Sequence, residues 1–306
     1  MQWGGWAASC ASWGTLIRIG GWVSGEGRGG VRLPVRRRRT SVGAMPSAVI
    51  TGTSSGFGRA VAQRLHDLGW DVLGTVLSDV EAQGLPWATA RIDVTDDAAV
   101  ETLRDLVGGS LDALVNNAGI AMAGPWEELT SRELRRILDV NVVGAMAVTR
   151  ACLPALRAAR GVVVNLSSVS GQAGDPLMGP YNASKFALEG ASEALRAELK
   201  PHGVRVHLVE PGPFRTPISQ AIQTAEHRGS SDAYAEAWDG VDHWLDWHGT
   251  SSADPQRCVD AIVGAVLRDD APFRIPVGDG ISDVVRRHAA KLADTATRAD
   301  TWLTTL

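Results

Sequence analysis

From residue 47 onward, short β-branched runs alternate with helical patterns, and this constrains the fold of the 306-residue chain more than any other feature. Ala48-Val49-Ile50-Thr51 reads as a buried strand. A Gly-rich turn follows, then a helix over 57–68 with apolar Val61, Leu65 and Leu68 at helical spacing. Gly69 stands where a helix end favours a residue of positive φ. Further strands are predicted at 71–76, 88–92, 111–115, 162–166, 204–209 and 273–277. Long helices are predicted at 131–158, 180–200 and from Asp254-Pro255 to about 268, with Asp96 and Asp97 opening another. Such alternation dictates a single doubly wound parallel sheet, an α/β fold with helices on both faces and right-handed crossovers. The pattern shows neither a second domain nor an internal repeat.

The charge balance excludes some functions. Seven of the 30 basic residues and one of the 34 acids fall within residues 1–44, which leaves the rest at a net −10. A body that acidic argues against a nucleic-acid partner. Cys10, Cys152 and Cys258 form no CxxC or His/Cys cluster, so neither a disulfide framework nor a metal site is expected, and a cytoplasmic location suits the chain. No apolar run is read as long enough to span a membrane. Residues 1–44 are Gly-rich, carry Trp3, Trp6, Trp13 and Trp22, and end in Arg36-Arg37-Arg38-Arg39. They read as a disordered or over-extended leader, with Met45-Pro46 as the natural start of a single domain over 45–306.

Thr51-Gly52-Thr53-Ser54-Ser55-Gly56-Phe57-Gly58 lies between the first strand and the first helix, where a doubly wound sheet binds dinucleotides. Gly52, Gly56 and Gly58 let backbone approach a pyrophosphate. Ser54 and Ser55 add hydroxyl donors, and the helix N-terminus from Phe57 offers free N–H groups. The second strand ends in Val76, Leu77 and Ser78, without the carboxylate that favours NAD or the Arg that pairs with a 2′-phosphate. The missing acid tips the reading towards NADP over NAD.

Tyr181-Asn182-Ala183-Ser184-Lys185 carries the chemistry. Positions i and i+4 share a helix face, so phenol and ammonium can approach one point. A phenol is a poor base near neutral pH, and a nearby ammonium and a bound, positive nicotinamide both favour its ionised form. Tyr181 is therefore expected to have a lowered pKa and to exchange a proton with a substrate oxygen.

Taken together, the TGxxxGxG turn, Asn116-Asn117-Ala118-Gly119, Tyr181-x-x-x-Lys185 and Pro211-Gly212 resemble the classical short-chain dehydrogenase/reductase family over essentially residues 47–280. The resemblance implies a Rossmann fold with a helical substrate lid over 213–250. It also implies adenine contacts from Asp93 and Val94, a cofactor wall from Asn117, Ala118 and Gly119, and a nicotinamide-holding segment of Pro211, Gly212 and Thr216. Ser168, thirteen residues before Tyr181, takes the place of the family's catalytic serine and would grip the substrate oxygen. Asn141 resembles the fourth catalytic member, which holds a water linking Lys185 to solvent. The expected activity is NAD(P)-dependent interconversion of a secondary alcohol with a ketone or aldehyde. A non-catalytic dinucleotide sensor or scaffold, and an epimerase or dehydratase on the same fold, are the alternatives. In the lid, Phe214, Ile218, Ile222, Tyr234, Trp238, Trp244 and Trp247, with His243 and His248, either line a pocket for an apolar carbonyl substrate or pack the lid onto the body. The resemblance also implies a homodimer or homotetramer, and the lack of a spanning apolar run implies no membrane partner.

Overall fold

In the computed structural model, residues 45–214, 222–242, 254–283, 285–290 and 294 are described. Seven strands form one sheet: β1 (Ser47–Ile50), β2 (Asp71–Val76), β3 (Ala88–Arg91), β4 (Ala113–Asn116), β6 (Val162–Leu166), β7 (Arg205–Pro211) and β9 (Arg274–Val277). Their order is β3-β2-β1-β4-β6-β7-β9, with every pairing parallel. The order reverses between β1 and β4, which opens a crevice at the carboxyl ends of those two strands. A pair of two-residue strands, β5 (Met122–Ala123) and β8 (Gln223–Thr224), forms a separate parallel ladder. No hydrophobic run announces strands this short, and the sequence reading missed both.

Helix α1 (Gly56–Asp67) follows β1, α2 (Asp79–Ala82) follows β2, and α3 (Asp97–Glu101) and α4 (Leu103–Val107) follow β3. Asp96 caps α3, its Oδ1 accepting from the amides of Ala98 (2.9 Å) and Ala99 (3.2 Å). The helix expected over 131–158 is three pieces: α5 (Ser131–Leu138), a π-helical turn (Asp139–Gly144) and α6 (Ala145–Ala159). Contrary to the sequence reading, Ser131–Ala159 is long and apolar enough, by length and composition, to cross a membrane. Half of its most apolar window is buried within the fold. Helices α7 (Gly179–Leu199) and α8 (Gln256–Leu267) follow, and residues 235–242, 281–283 and 285–290 are also helical.

Two apolar layers cover the sheet. On one face, Val61 and Leu65 of α1 and Cys258, Ile262 and Val266 of α8 pack on Ile50, Val115, Val164 and Val209. On the other, Val148, Cys152 and Leu156 of α6 and Leu195 and Leu199 of α7 pack on Val49, Leu114, Val163 and Val206. Each fully buried side chain of this size contributes about 1.5–3 kcal/mol. A polar ladder crosses the sheet between these layers: Asn116 donates to Asn165 Oδ1 (2.8 Å) and Thr149 Oγ1 (2.8 Å), and Asn165 donates to Ser192 Oγ (2.8 Å). Buried amides so paired lock the β4–β6 register to α6 and α7.

Candidate active site

The Gly-rich turn sits at the sheet's reversal point. Gly52 (φ 71°) and Gly56 (φ 57°) adopt left-handed conformations that side chains resist. Gly58 is needed for space, since a Cβ there would fall 2.2 Å from Gly52 O and 2.4 Å from Asn117 Nδ2. Asn117 Nδ2 donates to the carbonyls of Thr51 (2.8 Å) and Gly52 (3.0 Å). Thr51 Oγ1 in return accepts from the amides of Asn117 (3.0 Å) and Ala118 (2.9 Å). The end of β4 thus holds the turn after β1 in shape. No side chain caps the start of α1, and its first turn carries no acid. Its amides and positive end therefore face the crevice without a counter-charge, which fits a dinucleotide pyrophosphate.

Asp93 and Val94 follow β3. Asp93 Oδ1 accepts from both the amide (2.9 Å) and hydroxyl (2.8 Å) of Thr95, and Val94 is buried. Pro211 ends β7, and the amide of Gly212 donates to Val277 O (2.8 Å). Thr216, Ile218, His243, Trp244, Trp247 and His248 lie outside the described residues. One carboxylate does stand near the end of β2. Glu81 of α2 folds back, and its Oε2 accepts from the amide of Leu77 at 2.8 Å. A four-residue separation across a turn hid it from a reading of the strand alone.

Helix α7 carries Tyr181 and Lys185, and the structure brings Ser168 and Asn141 towards them. Lys185 is buried, its Nζ 5.6 Å from the Tyr181 ring centre and donating to Leu166 O at 2.8 Å. Ser168 follows β6; its hydroxyl donates to Pro211 O (3.4 Å) and accepts from the amide of Ser170 (3.1 Å), and it stands near enough to the Tyr181 phenol to favour the phenol's ionised form. Asn141 lies in the π-helical turn, 2% exposed. It accepts from the Ile120 amide (2.9 Å) and donates to Ile120 O (2.9 Å) and Ser184 Oγ (2.9 Å). A π turn inside a helix often marks a functional position, and this one carries Asn141 and Gly144 buried on its inner side. Gly119, beside Ile120, lies close under Asn141 Oδ1.

The electrostatics correct one expectation. Burial pushes the Tyr181 phenol above its ordinary range, opposed by the nearby Ser168 hydroxyl. Lys185 does not reverse this, because burial lowers its own pKa to about 8, partly offset by Glu189. The lowering expected of the pair is not supplied by these residues alone.

Between the expected lid and the body, two carboxylates act as anchors that the sequence reading missed. Glu128 is fully buried and accepts from Trp238 Nε1 (2.7 Å), Gly229 N (3.1 Å) and Ser231 N (3.2 Å). Glu133 closes the capping box of α5 with Thr130 and accepts from the amide of Glu226 (2.7 Å). Trp238 and Phe214 are both buried, and Phe214 meets Phe57 edge-on at 5.8 Å. For these two aromatics, packing against the body is the observed role.

Comparison with known proteins agrees with this geometry. Residues 46–227 match the short chain dehydrogenase family. The chain belongs to that family, and it is an oxidoreductase. Among short-chain dehydrogenase relatives, 3-ketodihydrosphingosine reductase of Bacteroides thetaiotaomicron is 34% identical over 250 residues, covering 80% of this chain and 93% of its own. The NADPH-dependent 3-dehydrocapnine reductase of Ornithobacterium rhinotracheale is 35% identical over 218 residues, 66% of this chain and 77% of its own. The crystal structure of a short-chain dehydrogenase from Streptomyces avermitilis superposes with a TM-score of 0.76 at 32% identity, covering 86% of this chain and 99% of that one.

Proposed function

We propose that this chain interconverts a ketone and a secondary alcohol with NADP or NAD, Tyr181 serving as general acid and base. The observation that carries the reading is the convergence of the Ser168 and Tyr181 hydroxyls beside Lys185, at the carboxyl end of the sheet that also holds the Gly-rich turn.

Gly52, Ser54, Ser55, Gly56, Phe57 and Gly58 would hold the pyrophosphate. Asp93, Val94, Asn117, Ala118 and Gly119 would line the adenosine side, and Pro211, Gly212 and Thr216 the nicotinamide side. The bound dinucleotide supplies or accepts the hydride. Ser168 positions the substrate oxygen and stabilises charge developing there. Tyr181 gives or takes the proton at that oxygen; its raised pKa keeps the phenol protonated and ready to donate in the reductive direction. Lys185 holds its charge below about pH 8 and orients the ribose and the phenol. Asn141, bonded to Ile120 on both its amide atoms, keeps the π turn in place beside Ser184.

The named substrates of two relatives, a 3-keto and a 3-dehydro compound, support ketone reduction as the working direction. The test is Tyr181→Phe, assayed by NAD(P)H absorbance against a panel of ketones and secondary alcohols. The variant should keep its thermal midpoint and lose about 10²- to 10⁴-fold in kcat. Near-native turnover would sink the assignment.

A further inference from the structure

Behind the Ser168 turn lies a group of buried charges that the reaction as written does not use. Glu210 of β7 is 0% exposed and Glu189 of α7 is 5% exposed. Gln172, just past the turn that Ser168 caps, donates from one Nε2 to Glu210 Oε1 (3.1 Å) and to Glu189 Oε2 (3.3 Å). From β9, Arg274 Nε lies 2.9 Å from Glu189 Oε2 and 3.6 Å from Glu210 Oε1, while its Nη2 reaches Glu193 at 3.2 Å. Lys185, one turn before Glu189, adds a second positive charge on the Glu189 side. Ser167 Oγ, Glu189 Cγ and Lys185 O all crowd Gly171 within 3.2 Å of where a Cβ would stand. Glu210 thus has a neighbouring anion and a single guanidinium already engaged by two other acids. Glu189 Oε1 and Glu210 Oε2 are buried without a hydrogen-bond partner.

We infer that Glu210 is protonated in the working enzyme and that the Glu210–Gln172–Glu189 bridge is a positioning element for Ser168. The geometry ties it to the site at three points. Glu210 directly precedes Pro211, whose carbonyl accepts from Ser168 Oγ. Gln172 follows the turn whose Ser170 amide binds Ser168 Oγ. Glu189 follows Lys185 on the same helix. Two anions cannot share one amide group comfortably in a buried site, so ionising Glu210 pushes the 172 turn and the 210–211 segment apart. In keeping with this, burial and then Glu189 raise Glu210, against Arg274 and Gln172, to about 7. An acid whose folded pKa is raised favours the folded state below its ordinary value and loses that contribution as pH rises through the folded value. The window runs from about 4.5 to about 7.

The proposal rests on the redox reading above. It is tested with wild-type enzyme and Glu210→Gln, the neutral isostere, between about pH 5 and pH 9. The thermal midpoint is measured without cofactor or substrate, and kcat for ketone reduction with both saturating. The wild-type thermal midpoint should fall as pH rises from about 4.5 to about 7 and level off above it, and kcat should drop at least about threefold through about 7; Glu210→Gln should match wild type near pH 5, lose less midpoint over that window and hold its kcat through 7. Superimposable kcat profiles overturn the positioning role, even if the midpoints differ. Infrared difference spectra of wild type across pH 7 ask the same question without a variant. Loss of one protonated-carboxyl stretch supports the inference, and an unchanged spectrum overturns it. Absence of any wild-type turnover on the substrate panel counts against the redox reading, and the positioning role falls with it. A flat midpoint with turnover intact counts against the inference alone.

Discussion

Lys185 stands one helical turn beyond Tyr181, yet its ammonium bonds the carbonyl of Leu166 at 2.8 Å and lies 5.6 Å from the tyrosine ring centre. The lysine is therefore held by the end of β6, the strand that leads directly to Ser168. Burial lowers its pKa to about 8, so its charge is lost as pH rises through that value. At subsaturating cofactor, kcat/KM should fall above about pH 8. Lys185→Met should remove this break and cost about 10²-fold or more in kcat/KM across the range. A wild-type profile flat through pH 8, measured by NAD(P)H absorbance, would contradict the role.

Gly58→Ala tests the cradle. The new methyl would stand 2.2 Å from Gly52 O and 2.4 Å from Asn117 Nδ2, neither of which can retreat without breaking the bonds between β4 and the β1 turn. Overpacking of this kind costs about 1–3 kcal/mol. The thermal midpoint should drop, and the stabilisation normally added by saturating NADPH or NAD should shrink or vanish in a thermal-shift titration. A normal cofactor-induced shift would show that the turn is not the cradle.

Glu128→Ala tests the anchor of residues 229–238. It leaves the Trp238 indole and the amides of Gly229 and Ser231 without their common acceptor. Bonds to a charged group are worth about 1.5–3 kcal/mol each. Hydrogen exchange at Gly229 and Ser231 should quicken about 10- to 100-fold, and KM for bulky ketones should rise more than kcat falls. Unchanged exchange at both amides would show that the segment is held by other contacts.

Glu81→Gln tests cofactor choice. The Glu81 carboxylate sits against the Leu77 amide at the end of β2, where a 2′-phosphate would feel its charge. Removing one exposed charge a few ångströms away is worth about 1 kcal/mol at low salt. The ratio of kcat/KM for NADP over NAD should therefore rise about three- to tenfold. A ratio unchanged at low ionic strength would place the 2′ position elsewhere.

Much of the site was legible because its signals are local. Strand 71–76 and strand 162–166 have the boundaries their apolar runs predicted. Tyr181 and Lys185 needed only helical spacing to be paired, and the glycine turn needed only a strand before it and a helix after. The π turn at 139–144 escaped because nothing in Asp139–Gly144 sets a single π turn apart from an α turn. What distinguishes it is the bonding of Asn141 to Ile120, 21 residues away in sequence.

The chain's own pattern of strands, helices and glycines was enough to determine a doubly wound sheet and to mark a candidate crevice and candidate proton-transfer residues. Tertiary structure alone decided which carboxylates matter. Glu128 meets Trp238 across 110 residues, Glu189 meets Arg274 across 85, and Gln172 meets Glu210 across 38. The physical reason is that a carboxylate's role depends on its desolvation and its partners. Both are set only when distant elements pack together, and no short stretch of sequence records them.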